Sequence, residues 1–183
     1  IGRGGMGHVY EGRCLRSGAR VAIKVMHADR PGIDATVVKR FSREAKILSS
    51  LHHPNVVRCL DHGIGQNGLA YIVMEYAAGR TVKTLLRQSG VLGELLVLDV
   101  AVQVCAGFEQ AHTHGIVHRD IKEANIIVDT AGAGLVVKIV DFGVGKRLAS
   151  ASESNLTKPG HFVGSYMHGS PEQVAGRTLD ARS

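Results

Sequence analysis

The sequence predicts an α+β chain of two unlike lobes, a small antiparallel sheet with one helix followed by a mainly helical half, and three observations lead there. Up to about Tyr76 the apolar residues alternate in short, β-branched runs around one segment of helical spacing. From Thr81 the spacing changes to three and four, the repeat of a helix with one buried stripe. Two short strand-like pieces then return, joined by small residues, before a long stretch with no period. The boundary at Tyr76 gives lobes of residues 1–76 and 77–183.

With 183 residues, 44% apolar and 21% charged, the chain can bury a sizeable core and is neither disordered nor fibrous. The formal net charge is +6, yet Lys and Arg are scattered, and four Phe, four Tyr and no Trp leave little for base stacking. Direct nucleic-acid binding is therefore set aside. Cys14, Cys59 and Cys105 are odd in number and far apart, which argues against a disulfide framework or structural zinc and suits a reducing, cytoplasmic setting. The longest apolar stretch, residues 91–108, is interrupted by Glu94, Asp99 and Gln103, so it reads as a buried helix with no membrane span. No signal-peptide pattern precedes it.

The elements follow in order. A glycine-rich turn leads into a strand at Val9, Tyr10 and Glu11, and Val21-Ala22-Ile23-Lys24-Val25-Met26 is a second. Residues 35–51 form a helix, with Val37, Phe41, Ala45, Leu48 and Leu51 on one face, ended by His52-His53-Pro54-Asn55. Strand-like runs over 56–60 and 69–74 flank a glycine-rich turn at 63–68 and complete the first sheet. In the second lobe a short helix over 81–88 precedes a long one over 94–114, whose stripe is Val97, Ala101, Val104, Phe108 and Ala111. Strand pieces over 125–128 and 135–140 follow, and the second runs straight into Asp141-Phe142-Gly143. Residues 146–170, rich in Ser, Gly, Thr and Lys, read as one long functional loop.

Several segments carry chemistry. Gly2-Arg3-Gly4-Gly5-Met6-Gly7 fits G-x-G-x-x-G, which serves a dinucleotide site or a plain tight turn equally. A dinucleotide site needs a helix next, whereas His8-Val9-Tyr10-Glu11 continues as strand, so the glycines lie in a hairpin able to cover phosphates. Strand alternation puts Lys24 on one face with Ala22, opposite Val21, Ile23 and Val25, and an inward lysine needs an anion. Glu44, on the apolar stripe of the first helix, is a plausible partner; two solvated surface charges are the plainer reading. His118-Arg119-Asp120-Ile121-Lys122-Glu123-Ala124-Asn125 follows the long helix, and acids on loops at strand ends are well placed to line a cleft. The spacing His112-x-His114-x-x-x-His118 superficially resembles a zinc site.

The glycine loop, Val21-Ala22-Ile23-Lys24, Glu44, the 118–125 segment, Asp141-Phe142-Gly143 and Ser170-Pro171-Glu172 occur in the order of the protein-kinase signature set. The whole chain resembles a eukaryotic-type serine/threonine protein kinase, and its glycine loop and Ser170-Pro171-Glu172-Gln173 are similar to the bacterial branch. The resemblance implies a two-lobed kinase fold using ATP and Mg2+. It implies that Asp120 accepts the substrate hydroxyl proton, that Asn125 and Asp141 hold the metal, and that Lys24, set by Glu44, holds the α- and β-phosphates. Lys122 would touch the γ-phosphate, and its place two residues after Asp120 is the family's serine/threonine mark.

By the same resemblance, Ile1, Gly2, Gly4 and Gly7 cover the nucleotide, and Val9, Ala22 and Ile127 sandwich the adenine. Met74 is the gatekeeper, while Glu75 and Ala77 offer hinge backbone groups. Leu48, Cys59, His118 and Phe142 match the internal spine, and the ordering role of His118 explains the histidine spacing without zinc. Arg119 before Asp120 implies control by phosphorylation of the 146–170 loop, with Thr157 the first candidate for self-phosphorylation and Ser150, Ser152 and Ser154 alternatives. Protein Ser and Thr hydroxyls are the implied substrates. A silent nucleotide-binding or scaffolding module is the rival reading, and a small-molecule kinase fits the long loop less well.

The chain departs from the family pattern at four positions. Counting back from Glu172 to Gly164 puts Ser165 at the usual threonine, Tyr166 at a common proline and His168 at a common tyrosine. Glu123 replaces a frequent proline and is expected to matter little. The match ends just after Glu172, whereas a kinase of this type runs to roughly 250 residues. An exposed apolar surface on the second lobe and marginal stability of this segment are therefore expected.

Overall fold

The computed structural model describes residues 1–4, 7–26, 35–66, 68–132, 134–142 and 168–183. Contacts divide them into two units. One holds residues 1–50 and 58–76; the other holds 51–57, 77–142 and 168–183.

The first unit comprises β1 (Gly2–Gly4), β2 (Gly7–Arg13), β3 (Arg20–Met26), α1 (Ala35–Ser50), β4 (Cys59–Ile64) and β5 (Ala70–Glu75). The strands form one antiparallel sheet in the order β1-β2-β3-β5-β4. Register pairs Val9 with Lys24, Lys24 with Ile72 and Ala22 with Met74, and directly opposed residues share a face. Val9, Ala22, Lys24, Ile72 and Met74 therefore lie on one side, as strand alternation predicts. That side is the core face: Phe41 of α1 is buried among Cys59, Ala70 and Ile72, with Met26, Leu48 and Met74 packed around them. Each large apolar side chain so buried contributes about 1.5–3 kcal/mol.

The second unit comprises β6 (Arg80–Thr81), α2 (Val82–Ser89), α3 (Glu94–Thr113), a 3-10 turn (Glu123–Asn125), β7 (Ile126–Asp129), β8 (Val136–Ile139) and α4 (Pro171–Val174). Strands β6, β7 and β8 form an antiparallel sheet in that order. Thr81 caps α2 by accepting the Thr84 N–H, which satisfies an orphan donor of the first turn. Between the sheet and the helices, Val100, Val128 and Val137 make a core closed by Leu85, Leu96 and Val104.

Two expectations are corrected here. The run 56–60 was expected as a strand of the first sheet, but β4 starts at Cys59 and 51–57 belongs with the second unit. The cause is the open edge of β8. Ile139 N–H donates to the Asn55 carbonyl at 2.8 Å, and Val57 N–H donates to the Ile139 carbonyl at 2.9 Å. The Asn55 side chain donates to the Val137 carbonyl at 2.9 Å and to Gln103 Oε1 at 2.7 Å. Gln103 Oε1 also accepts the Val137 N–H, and Gln103 Nε2 donates to the Leu135 carbonyl. A buried strand edge must find such partners, so Asn55 and Gln103 complete the sheet where a strand is missing.

The second correction concerns α3. Its buried residues are Val100, Gly107 and Ala111, whereas Val97 and Ala101 of the expected stripe are exposed. Gly107 sets the buried side, because a Cβ there would come within 2.7 Å of Ile139 and 3.3 Å of Val56. Leu95, Leu98 and Val102 form a solvent-facing apolar strip along α3, matching the expected exposed surface of this lobe.

Candidate active site

The glycine segment is a hairpin. Gly2 pairs with Val9 and Gly4 with Gly7 in the β1–β2 register, so strand continues past the glycines and the dinucleotide alternative falls. Gly7 is the position where a side chain cannot fit: its Cβ would lie 2.2 Å from the Val25 carbonyl oxygen. Ile1 is exposed, and its amino group donates to the Val9 carbonyl at 2.8 Å.

Lys24 is 9% exposed on the core face of β3, beside Val9 and Ala22. The side chain of Glu44 lies outside the described part of α1, so the expected pair with Lys24 does too. Met74 is half-buried on the same face. The Glu75 N–H donates to the Arg58 carbonyl at 3.0 Å, and Glu75 Oε1 accepts the Arg58 N–H at 3.1 Å. Sequence reasoning missed the neighbouring Arg20, whose guanidinium stacks 3.7 Å from the Tyr76 ring centre and pairs with Glu11 at 2.9 Å.

In the second unit the expected catalytic residues converge. Lys122 Nζ donates to Asp120 Oδ2 at 2.7 Å. Asn125 Nδ2 donates to the Asp120 carbonyl at 2.8 Å and to Oδ2 at 3.3 Å. Two donors thus share one carboxylate oxygen. The 3-10 turn makes this possible, since the Asn125 N–H closes back on the Lys122 carbonyl and brings the lysine and the amide to the same side. Asn125 is 7% exposed, and its Nδ2 is committed to Asp120.

Asp141 is set beside this cluster by strand geometry. Register pairs Ile126 with Ile139, and Val140 N–H donates to the Asn125 carbonyl at 2.9 Å. An amide oxygen and a carboxylate so placed are hard ligands of the kind Mg2+ takes. Ile127 of β7 is half-buried next to them.

His118 organises both loops. Its Nε2 donates to the Val140 carbonyl at 2.9 Å and its Nδ1 accepts the Asp120 N–H at 3.3 Å. A carbonyl only accepts and an amide only donates, so the ring is neutral with its proton on Nε2. The ring is 1% exposed and lies tilted against Phe142 with centres 4.7 Å apart, with Phe108 closing the cluster at 5.8 Å. In the first unit Leu48 packs on Cys59, so each unit holds two of the four expected spine residues together. His112 instead stacks on Phe108, and His114 Nδ1 meets the Gln110 carbonyl at 2.9 Å.

Among the described residues, Arg119 and Asp141 are the two non-glycines at positive φ, both at 65°. Each costs about 1–2 kcal/mol of backbone strain; Arg119 adjoins Asp120, and Asp141 is itself one of the acids.

Glu123 Oε2 lies 3.1 Å from His168 Nε2, so two departures from the family pattern meet each other. Gln173, which the sequence reading passed over, donates to the Arg119 carbonyl at 2.8 Å. The pattern Ser170-x-x-Gln173, a helix-capping signature, was the available signal. Thr157, Ser150, Ser152, Ser154, Ser165 and Tyr166 lie outside the described residues.

The chain matches the protein kinase domain family over residues 1–183. It is 38% identical over 186 residues to the serine/threonine-protein kinase PknB of Mycolicibacterium smegmatis, covering 100% of this chain and 29% of that protein. It is 38% identical over 185 residues to the serine/threonine-protein kinase pkn3 of Myxococcus xanthus, covering 100% of this chain and 34% of that protein. The chain thus spans about a third or less of these relatives. The Mycobacterium tuberculosis PknI kinase domain superposes with a TM-score of 0.73 at 26% identity, over 100% of this chain and 65% of that one. By this match over its whole length, the chain belongs to the protein kinase domain family.

Proposed function

We propose that the chain transfers the γ-phosphoryl group of ATP to Ser and Thr hydroxyls of protein substrates. The observation that carries this is the Asp120 carboxylate held by Lys122 and Asn125. Asp120 takes the hydroxyl proton as the substrate oxygen bonds to the γ-phosphorus and the bond to the β,γ-bridging oxygen breaks, releasing ADP. Lys122, already at the carboxylate, offers its charge to the phosphoryl group in transit. Lys24 and the glycine hairpin of the first unit hold the remaining phosphates, and Met74, Glu75, Ala77, Val9, Ala22 and Ile127 take the adenine. Asn125 and Asp141 would hold Mg2+, which would offset phosphate charge when bound.

Self-phosphorylation at Thr157 belongs to the same reading, since Arg119 adjoins Asp120 and can pair a phosphate. Three free cysteines support a reducing, cytoplasmic setting for this segment. Among the described residues no helix is long and apolar enough to cross a membrane.

The test is phosphate incorporation from labelled ATP into a generic basic protein, with Asp120→Asn as control. A loss of at least about a hundredfold is expected. Equal signal from both proteins would leave only the scaffolding role.

A further inference from the structure

The mechanism above does not use Gln173 or His168, yet both tie the segment entering α4 to the loop that carries Asp120. Gln173 Nε2 donates to the Arg119 carbonyl at 2.8 Å across 54 residues of sequence. The same peptide group is held from its other side, because the Asp120 N–H donates to His118 Nδ1 at 3.3 Å. One peptide plane, following a residue at φ 65°, is thus gripped at both ends. At the other end of the segment His168 meets Glu123 at 3.1 Å.

The direction of the Gln173 side chain is informative. Ser170 caps α4 by accepting the Gln173 N–H at 3.3 Å, which is half of a capping box. In a full box the glutamine would reach back to the N–H of the cap residue. Here its amide is turned away from its own helix onto the strained backbone before Asp120.

We propose that Gln173 is a positioning residue for Asp120. It stabilises the left-handed conformation at Arg119 from which the Asp120 carboxylate faces the acceptor hydroxyl. The seating of 168–174 on the catalytic loop is thereby read out in the chemical step and not in nucleotide binding. This inference rests on the role proposed above for Asp120.

The test is steady-state kinetics of the intact protein. Gln173→Leu, close in size but without a donor, lowers kcat about ten- to hundredfold, the loss that follows misplacement of one catalytic group. KM for ATP stays within twofold. Gln173→Lys, which can still donate to the Arg119 carbonyl, recovers most of the rate, whereas Gln173→Glu, of similar length but without a donor, does not. In an Asp120→Asn background Gln173→Leu adds no further loss.

A Gln173→Leu protein within twofold of the parent overturns the inference. So do equal losses in the Lys and Glu variants, a parallel rise in KM for ATP, or an additive loss in the Asp120→Asn background. An inactive Asp120→Asn beside a fully active Gln173→Leu overturns the inference alone. An Asp120→Asn protein as active as the parent overturns the assignment of Asp120 and the inference with it.

Discussion

Replacing Asn55 by alanine removes the polar patch that closes the open edge of β8. The side chain is 8% exposed and supplies two donors, one to the Val137 carbonyl and one to Gln103 Oε1. After truncation Gln103 Oε1 keeps the Val137 N–H at 3.0 Å and remains satisfied. The Val137 carbonyl does not, because Val137 is 0% exposed and its N–H and C=O both point away from β7 toward Asn55 and Gln103. An orphaned buried carbonyl costs about 1–3 kcal/mol and the lost bond to Gln103 about 1 kcal/mol more, so the expected destabilisation is about 2–4 kcal/mol. Asn55→Asp is expected to be worse, since it sets a carboxylate against two acceptors in a buried site. Urea denaturation of the parent, both single variants and the Asn55→Ala, Gln103→Ala double variant measures these values and a coupling of about 0.5–3 kcal/mol. A change below about 1 kcal/mol for Asn55→Ala, or an aspartate variant as stable as the alanine one, refutes the account of the edge.

Other expectations are more local. Gly7→Ala forces a Cβ to within 2.2 Å of the Val25 carbonyl, so the β1–β2 hairpin must shift and affinity for ATP, read by calorimetry, falls at least about tenfold. Gly107→Ala meets the Ile139 Cδ1 at 2.7 Å and costs about 1–3 kcal/mol in a denaturant titration, whereas Val102→Ala on the exposed side of α3 changes stability by about 0.5 kcal/mol or less. The cysteines titrate in opposite directions. The hydroxyl of Ser17 lowers the Cys14 thiol below its ordinary value, whereas burial raises Cys59. Alkylation of Cys14 therefore sets in at lower pH than that of Cys59, and mass spectrometry of a pH series finding the reverse order would count against the geometry at either site. Asn125→Ala removes both the amide that holds Asp120 and the oxygen assigned to Mg2+; the magnesium concentration for half-maximal rate should rise and kcat should fall about a hundredfold or more.

Much of the site was legible because its chemistry is written in contiguous segments. His118, Asp120, Lys122 and Asn125 fall within one loop, and their contacts follow from a short turn whose backbone closes on itself at Lys122 and Asn125. Lys24 and Ala22 could be put on one face because strand alternation is local, and the register with β2 and β5 agrees. The strand–glycine–strand order was enough to separate a hairpin from a dinucleotide turn.

What stayed hidden was settled between segments far apart in the chain. Val56 and Val57 have strand propensity, but whether they join β5 or β8 depends on which edge needs hydrogen bonds, and Ile139 took them. The long helix is apolar on nearly every side, so period alone could not choose Val100, Gly107 and Ala111 over Val97 and Ala101; close approach at Gly107 did. The contacts of Glu123 with His168 and of Gln173 with the Arg119 carbonyl likewise join segments far apart in the chain. The elements and the contacts clustered on Asp120 were thus readable from propensity and motif, which are local. Helix face, strand edge and the two ties across the catalytic loop came from packing and from the need of buried polar groups for partners, which no window of sequence contains.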